Sequence, residues 1–134
     1  MKRILEILVD KAKEARKNAY APYSKFKVGA AVLADNNEIY TGVNVENASY
    51  GLTICAERVA VFKAVSEGAK QIKAVAIVAD TDAPVPPCGA CRQVILEFAT
   101  KECKIVMANL QGKKMIKTID ELLPYSFTSE VLNE

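Results

Sequence analysis

Hydrophobic residues recur along the 134-residue chain with two different periods, which predict helices and short strands in turn. Near the N-terminus, apolar residues lie three or four positions apart between charged ones, so residues 2–18 are expected to form an amphipathic helix. Helical spacing returns at about 55–67 and 88–100. The segment 73–80 is almost wholly apolar, which is typical of a central strand covered on both faces. The other predicted strands are 26–34, 38–46, 104–110 and 114–118.

Turn-forming and capping residues separate these segments. Pro22 cannot continue the first helix, Gly68 stands where the second should stop, and Asp120 is expected to cap a last short turn that ends at Pro124. Helices that follow strands argue for crossover connections in a mixed sheet. We therefore predict a single domain over residues 1–134, an α/β fold built as a three-layer α/β/α sandwich around about five strands.

Composition and charge narrow the function. The chain has no histidine, so imidazole cannot serve as base, nucleophile or metal ligand. The net charge is +2 and the basic residues are interspersed, which gives no support for binding nucleic acid. The N-terminal segment lacks the form of a signal peptide, and no apolar run approaches the length of a membrane span. We therefore expect a cytoplasmic protein without a membrane partner.

Three of the four cysteines stand at predicted helix starts. Cys88 and Cys91 open one helix and Cys55 opens the earlier one. Helix N-termini favour thiolates, and parallel strands would bring two such helix starts to one edge of the sheet. Three thiolates suit zinc, and three protein ligands plus water is the pattern of catalytic zinc sites. Cys103 precedes a strand without ligand-like spacing, and we interpret it as a packing thiol.

Other interpretations of these cysteines stay open. Cys88 and Cys91 could form a redox pair, although this leaves Cys55 and Glu57 without a role. A structural zinc site would need a fourth ligand, which in a chain without histidine must be Cys103 or a carboxylate.

Glu57 follows Cys55 by two residues, and residues two apart on a helix point about 200° away from each other. The two side chains can face one site only if Cys55 precedes the first helical turn. A lone glutamate at a helix start often serves the helix dipole. Beside three zinc-type cysteines, we interpret Glu57 as a general acid–base next to a metal-activated water.

These segments resemble the zinc-dependent cytidine deaminases, specifically the small type that forms homotetramers. The resemblance rests on TICAER (53–58) and PCGACRQ (87–93), supported by YAPYSKFKVGAA, TGVNVENASYGL and ELLPYSF elsewhere. It covers nearly the whole chain and implies the cytidine deaminase-like version of the predicted sandwich.

The resemblance implies the residues of the metal site. Cys55, Cys88 and Cys91 match the ligands of one Zn²⁺ per subunit, and Glu57 matches the proton shuttle. Arg58 matches an arginine that donates hydrogen bonds to the ligand sulfurs. Such a cation would offset the negative charge of three thiolates around one ion.

The resemblance also implies contacts to a nucleoside. Asn44 and Glu46 match residues that hold the ribose hydroxyls, and their spacing on a strand lets both point to one face. Phe26 matches an aromatic residue against the bound nucleoside, although it could simply belong to the core. Tyr50 and Phe127 match residues that line sites across subunits.

The implied reaction is hydrolytic deamination of cytidine and 2′-deoxycytidine to uridine and 2′-deoxyuridine, with release of ammonia, in pyrimidine salvage. A homotetramer with sites shared between subunits is implied as well. One alternative is a blasticidin-S-type deaminase, which shares the ligand pattern and size. Another is a non-catalytic, zinc-stabilised binding module, which predicts a fourth protein ligand.

Overall fold

The computed structural model describes residues 2–132. Its helices are α1 (Lys2–Arg16), α2 (Ala56–Ser66), α3 (Gly89–Phe98), α4 (Ile119–Leu122) and α5 (Ser129–Leu132), with a 3-10 turn at Tyr50–Leu52. Its strands are β1 (Val28–Ala34), β2 (Ile39–Val43), β3 (Ile72–Ala79), β4 (Ala99–Asn109) and β5 (Lys114–Thr118). None of the helices within this range has the length and apolar character needed to cross a bilayer.

The strands form one mixed sheet in the order β2-β1-β3-β4-β5. β3 and β4 are parallel, with Val75 beside Ile105, and the other neighbouring strands are antiparallel. Because β1 is antiparallel to both β2 and β3, these two strands run in the same direction. Their carboxyl ends therefore lie at one edge of the sheet, and the chain enters α2 and α3 from that edge.

Helices cover both faces of the sheet. α1 buries Leu5, Leu8 and Ala12 against one face. α2 and α3 pack on the opposite face, where Val61 and Ile95 are fully buried. The predicted three-layer α/β/α sandwich with a mixed five-stranded sheet is thereby confirmed.

Cys103 belongs to the core on the side of α2 and α3 and is fully buried. Burial raises the pKa of its thiol to about 12. This environment suits the packing role expected from the sequence, because a buried thiol in apolar surroundings stays protonated and inert.

Two glycines let helices approach the sheet closely. A methyl group at Gly42 in β2 would lie 2.5 Å from the carbonyl oxygen of Ala56 and 2.5 Å from the backbone nitrogen of Ala60. A methyl group at Gly29 in β1 would lie 2.0 Å from the carbonyl oxygen of Ala12. Neither position has room for a side chain, so Gly42 sets the distance between β2 and α2.

Several predicted boundaries differ from the structure. α1 ends at Arg16 rather than 18, and β1 begins at Val28 rather than 26. α3 ends early because β4 already begins at Ala99. β2 ends at Val43, so residues 44–46 lie beyond the strand and pair with neighbouring segments only through isolated bridges.

The predicted cap of the last turn is also wrong, since Thr118 rather than Asp120 caps α4. The Thr118 hydroxyl accepts a hydrogen bond from the backbone N–H of Glu121, and the Glu121 carboxylate accepts one from the backbone N–H of Thr118. This reciprocal capping box satisfies two N–H groups that a single aspartate could not.

Substituting Gly42→Ala is expected to lower the free energy of unfolding by about 1–3 kcal/mol, because α2 must move away from β2 to admit the methyl group. Urea denaturation measures this change. Gly51→Ala is the matched control, since nothing lies within 4 Å of the added methyl group. Equal stability of the two variants would contradict the close approach described here.

Candidate active site

Three cysteine sulfurs meet at the sheet edge where α2 and α3 begin. The Sγ atoms of Cys55, Cys88 and Cys91 lie within 4.8 Å of one another. The Sγ of Cys88 is 3.9 Å from that of Cys55 and 3.5 Å from that of Cys91. Sulfurs that share a tetrahedral zinc ion lie about 3.8 Å apart, because each Zn–S bond is about 2.3 Å long. The cluster therefore has the donor type and spacing that fit zinc.

The backbone at the two helix starts explains this convergence. Cys55 is the N-cap of α2, with φ −81° and ψ 153°, and Cys88 is the N-cap of α3, with φ −67° and ψ 168°. Since Cys55 is extended, its side chain can face the same site as Glu57, which meets the condition set by the sequence. Cys88 immediately precedes the first helical residue of α3, and of the pair only Cys91 is helical.

The cluster favours a thiolate on Cys55. Hydrogen bonding from the Cys91 thiol and then from Arg58 lowers the pKa of Cys55 to about 5. The same hydrogen bond, together with burial and the charge of Glu57, raises the pKa of Cys91. Cys55 therefore loses its proton easily, whereas Cys91 retains its proton until a divalent cation replaces it.

Arg58 lies against the sulfurs, as the resemblance implies. Its Nη2 donates a hydrogen bond to the Sγ of Cys55 at 3.4 Å. Its Nε is buried and, among the described residues, has no hydrogen-bond partner. The guanidinium thus offsets part of the negative charge that three thiolates would carry.

Glu57 is buried beside the cysteines, with only 5% of its surface exposed. Burial, more than the neighbouring Cys55 charge, raises the pKa of this carboxyl. Glu57, Cys55 and Cys88 line a cavity of about 200 Å³. A carboxyl group with a raised pKa in a cavity next to metal donors is suited to accept and deliver protons.

Phe26 and Asn44 line the same cavity. Asn44 is buried, and its Oδ1 accepts a hydrogen bond from the backbone N–H of Val28 at 2.9 Å. Its Nδ2 donates to the carbonyl oxygen of Phe26 at 2.7 Å. Asn44 therefore fixes the backbone that presents Phe26 and also offers a polar group to the cavity.

Glu46 faces an adjoining cavity of about 350 Å³, whose lining includes Tyr23, Ser24 and Thr53. Its carboxylate accepts hydrogen bonds from the Ser24 hydroxyl and from the backbone N–H groups of Tyr23 and Ser24, and these bonds lower its pKa. Thr53 lines both cavities. The structure does not bring Glu46 and Asn44 into one cavity.

Tyr50 and Phe127 lie on the surface and do not line the cysteine cavity of their own chain. Tyr50 is 73% exposed, and the centroid of its ring lies 5.9 Å from that of Tyr23 in an edge-on arrangement. Phe127 is 58% exposed, and its carbonyl oxygen accepts a hydrogen bond from the Nε2 of Gln93 at 2.9 Å.

Sequence reasoning missed several residues that shape the site. Val85 and Pro86, in the connection between β3 and α3, form part of the cavity wall. The signal was present, because this proline-rich loop leads directly into Cys88. Ser24 was missed as well, although its hydroxyl joins Glu46 to the backbone N–H of Phe26.

Comparison with known proteins decides the family. A family model described as the cytidine and deoxycytidylate deaminase zinc-binding region matches residues 2–107. The chain belongs to this deaminase family. It is 53% identical over 129 residues to a cytidine deaminase of Halalkalibacterium halodurans, covering 96% of this chain and 98% of that protein. The family is defined by a zinc-binding region, and the three cysteine sulfurs have the donor type and spacing that fit zinc.

Solved structures and a second relative refine the comparison. The crystal structure of cytidine deaminase from Burkholderia pseudomallei matches with a TM-score of 0.87 at 46% identity, covering 91% of this chain and 98% of that one. A blasticidin-S deaminase of Bacillus cereus is 34% identical over 113 residues, covering 78% of this chain and 79% of that protein. The present chain is thus more similar in sequence to these two cytidine deaminases than to this blasticidin-S deaminase.

Substituting Cys91→Ala is expected to reduce bound zinc from one ion per chain to about a tenth or less, because two thiolates are left to hold it. Cys103→Ala is the matched control and should keep its zinc. Mass spectrometry of the metal in protein purified without chelator measures both. Loss of zinc from a folded Cys103→Ala variant would instead indicate a closed, four-cysteine structural site.

Proposed function

We propose that this protein, as one domain over residues 1–134, catalyses the hydrolytic deamination of cytidine and 2′-deoxycytidine to uridine and 2′-deoxyuridine, with release of ammonia, in pyrimidine salvage. The observation that carries the proposal is the buried carboxyl of Glu57, which lines one cavity with Cys55 and Cys88 beside the cluster of three converging sulfurs. The high identity to a named cytidine deaminase supports the same reaction.

Cys55, Cys88 and Cys91 are proposed to hold one zinc ion per subunit. When bound, zinc supplies positive charge that brings the pKa of a coordinated water towards neutrality. Arg58 moderates the charge of the thiolates through its hydrogen bond to Cys55. Three thiolate ligands must stay reduced, so we place the protein in the cytoplasm.

Glu57 moves the protons of the reaction. Its carboxylate takes a proton from the attacking water and gives it to N3 of the cytosine ring. It then takes the proton of the hydroxyl group formed at C4 and passes it to the amine nitrogen, so that ammonia leaves as the C4 carbonyl forms. Burial suits both tasks, because it raises the pKa of the Glu57 carboxyl and so favours the protonated form that must donate.

The remaining contacts hold the nucleoside. Phe26 packs against the base at the wall of the cavity, and Asn44 accepts or donates hydrogen bonds to the ribose hydroxyls. Glu46 joins them from the adjoining cavity, which Thr53 connects to the first. Binding of the ribose would then compete with the bonds that Glu46 makes to Ser24.

A homotetramer with shared sites completes the proposal. Tyr50 and Phe127 are exposed aromatic residues outside the cysteine cavity of their own chain, and Tyr50 lines the adjoining cavity with Glu46. A neighbouring subunit is the surface against which their exposed rings would pack. Neither nucleic acid nor a membrane is needed as a partner.

Substituting Glu57→Gln is expected to lower kcat by at least about 10²-fold, since general acid–base catalysis contributes about 10²–10⁴-fold. The decrease in ultraviolet absorbance of cytidine on deamination measures turnover. Zinc content should be unchanged, because Glu57 is not proposed as a ligand. Glu67→Gln at the C-terminal end of the same helix is the control and should retain full activity. Full turnover by Glu57→Gln would contradict the proposed role of Glu57 in proton transfer.

Substituting Phe127→Ala is expected to raise KM for cytidine at least several-fold, because an aromatic contact from a neighbouring subunit is lost. Light scattering should give a wild-type particle of about four times the 14.6 kDa chain mass. Tyr125→Ala is the control, because no contact to substrate or subunit is proposed for this neighbouring ring. An active monomer with unchanged KM in Phe127→Ala would rule out a shared site.

A further inference from the structure

Arg92, which lies outside the cavity, bonds the backbone on both sides of Cys88, with its side chain on one side and with its helical backbone N–H on the other. The Nε of Arg92 donates a hydrogen bond to the carbonyl oxygen of Pro87 at 2.9 Å. The backbone N–H of Arg92 donates to the carbonyl oxygen of Cys88, also at 2.9 Å. Cys88 is an N-cap whose own side chain makes no capping bond, so these two peptide groups set the direction of its sulfur.

The same guanidinium reaches the C-terminal segment of the chain. Its Nη1 donates to the carbonyl oxygen of Leu122, the last residue of α4, at 2.6 Å. The next residue of α3, Gln93, donates through Nε2 to the carbonyl oxygen of Phe127 at 2.9 Å. Consecutive side chains of α3 thus hold both ends of residues 122–127.

The charged guanidinium of Arg92 donates to the carbonyl groups of Pro87 and Leu122. Among residues 2–132 the ion pairs are Lys17 with Glu14 and Lys117 with Glu121, and Arg92 takes part in neither. Hydrogen bonds from a charged donor are about twice as strong as neutral ones. Removing the guanidinium would leave two partly buried carbonyl groups without their donor.

The loop that leads to Cys88 has few other attachments. At its start, the buried Asn109 donates through Nδ2 to the carbonyl oxygens of Thr81 at 2.9 Å and Asp82 at 3.0 Å. Residues 84, 86 and 87 are prolines, which have no N–H to bond. Val85 and the buried Pro87 pack against the core, and the hydrogen bond that holds the end of the loop next to the metal site comes from Arg92.

We propose that Arg92 is a positioning residue that couples the C-terminal segment, residues 122–127, to the metal site through the backbone of Cys88. This inference rests on the zinc site proposed above. Removing the donors of Arg92 is therefore expected to speed the loss of zinc and to loosen the C-terminal segment together, because the same guanidinium bonds the carbonyl oxygens of Pro87 and Leu122.

The test compares zinc-loaded wild-type protein with Arg92→Met, which keeps the length of the side chain and removes its donors. Transfer of zinc to the chelating dye 4-(2-pyridylazo)resorcinol should be roughly tenfold faster or more, in the range that outer-shell partners of metal ligands commonly show. Amide hydrogen exchange of residues 119–127 should also be faster in Arg92→Met.

Arg16→Met is the matched control. The Nε of Arg16 also donates to a backbone carbonyl, that of Lys27 at 3.1 Å, but it projects from α1 on the opposite face of the sheet. Its loss should lower stability to a similar extent and leave the rate of zinc release unchanged. Should Arg92→Met fail to fold, Arg92→Lys carries the test, because one ammonium group does not reproduce the fork of donors. It should release zinc at least about threefold faster than the wild type.

A folded Arg92 variant that releases zinc at the wild-type rate would overturn the inference. So would faster release of zinc with unchanged hydrogen exchange in residues 119–127, because the two sites would then be uncoupled. Failure of the proposed function would look different: the zinc-loaded wild-type protein would not deaminate cytidine, while the release rates would still be measurable.

Discussion

The arrangement of the molecule depends on holding three thiol groups within 4.8 Å of one another. As thiolates they repel, and only a bound cation brings enough free energy to hold them. Structural zinc binding in small peptides is worth about 10–16 kcal/mol, whereas a helix N-terminus contributes about 0.3–1 kcal/mol to a nearby negative charge. Zinc therefore makes the largest contribution to holding the sulfurs together. The helix N-termini and Arg58 offset the negative charge that three thiolates leave on the site.

The fold brings these groups together through the directions of its strands. β2 and β3 run the same way, so the helices that follow them start at one edge of the sheet. Gly42 lets α2 lie directly on β2, which brings Cys55 and Glu57 to the cavity. Hydrogen bonds from Arg92 then fix the backbone of Cys88 on the other helix.

The sequence predicted the sandwich, the order of its elements and the meeting of three cysteines, because apolar periodicity and helix-start positions are local features. It also set the requirement that Cys55 lie before the helix, and the extended backbone of Cys55 meets it. Contacts between distant segments could not be predicted in this way. The hydrogen bond from the Ser24 hydroxyl to the Glu46 carboxylate joins residues 22 positions apart, and nothing in local spacing indicates it.

The same limit explains the separation of Asn44 from Glu46. Strand alternation predicted one shared face, but β2 ends at Val43 and hydrogen bonds from the segment of Tyr23 draw Glu46 into the adjoining cavity. Tyr50 and Phe127 show a further limit, because the role proposed for them depends on contacts between subunits, about which local spacing carries no information. In the described chain both side chains are largely exposed.

X-ray absorption at the zinc edge of the purified protein tests the central claim most directly, because it counts the atoms bound to the metal and measures their distances. Three sulfurs at about 2.3 Å and one oxygen or nitrogen at about 2.0 Å are predicted, as in a catalytic site with an open position. Four sulfur neighbours would show a closed structural site that includes Cys103 and would contradict the account.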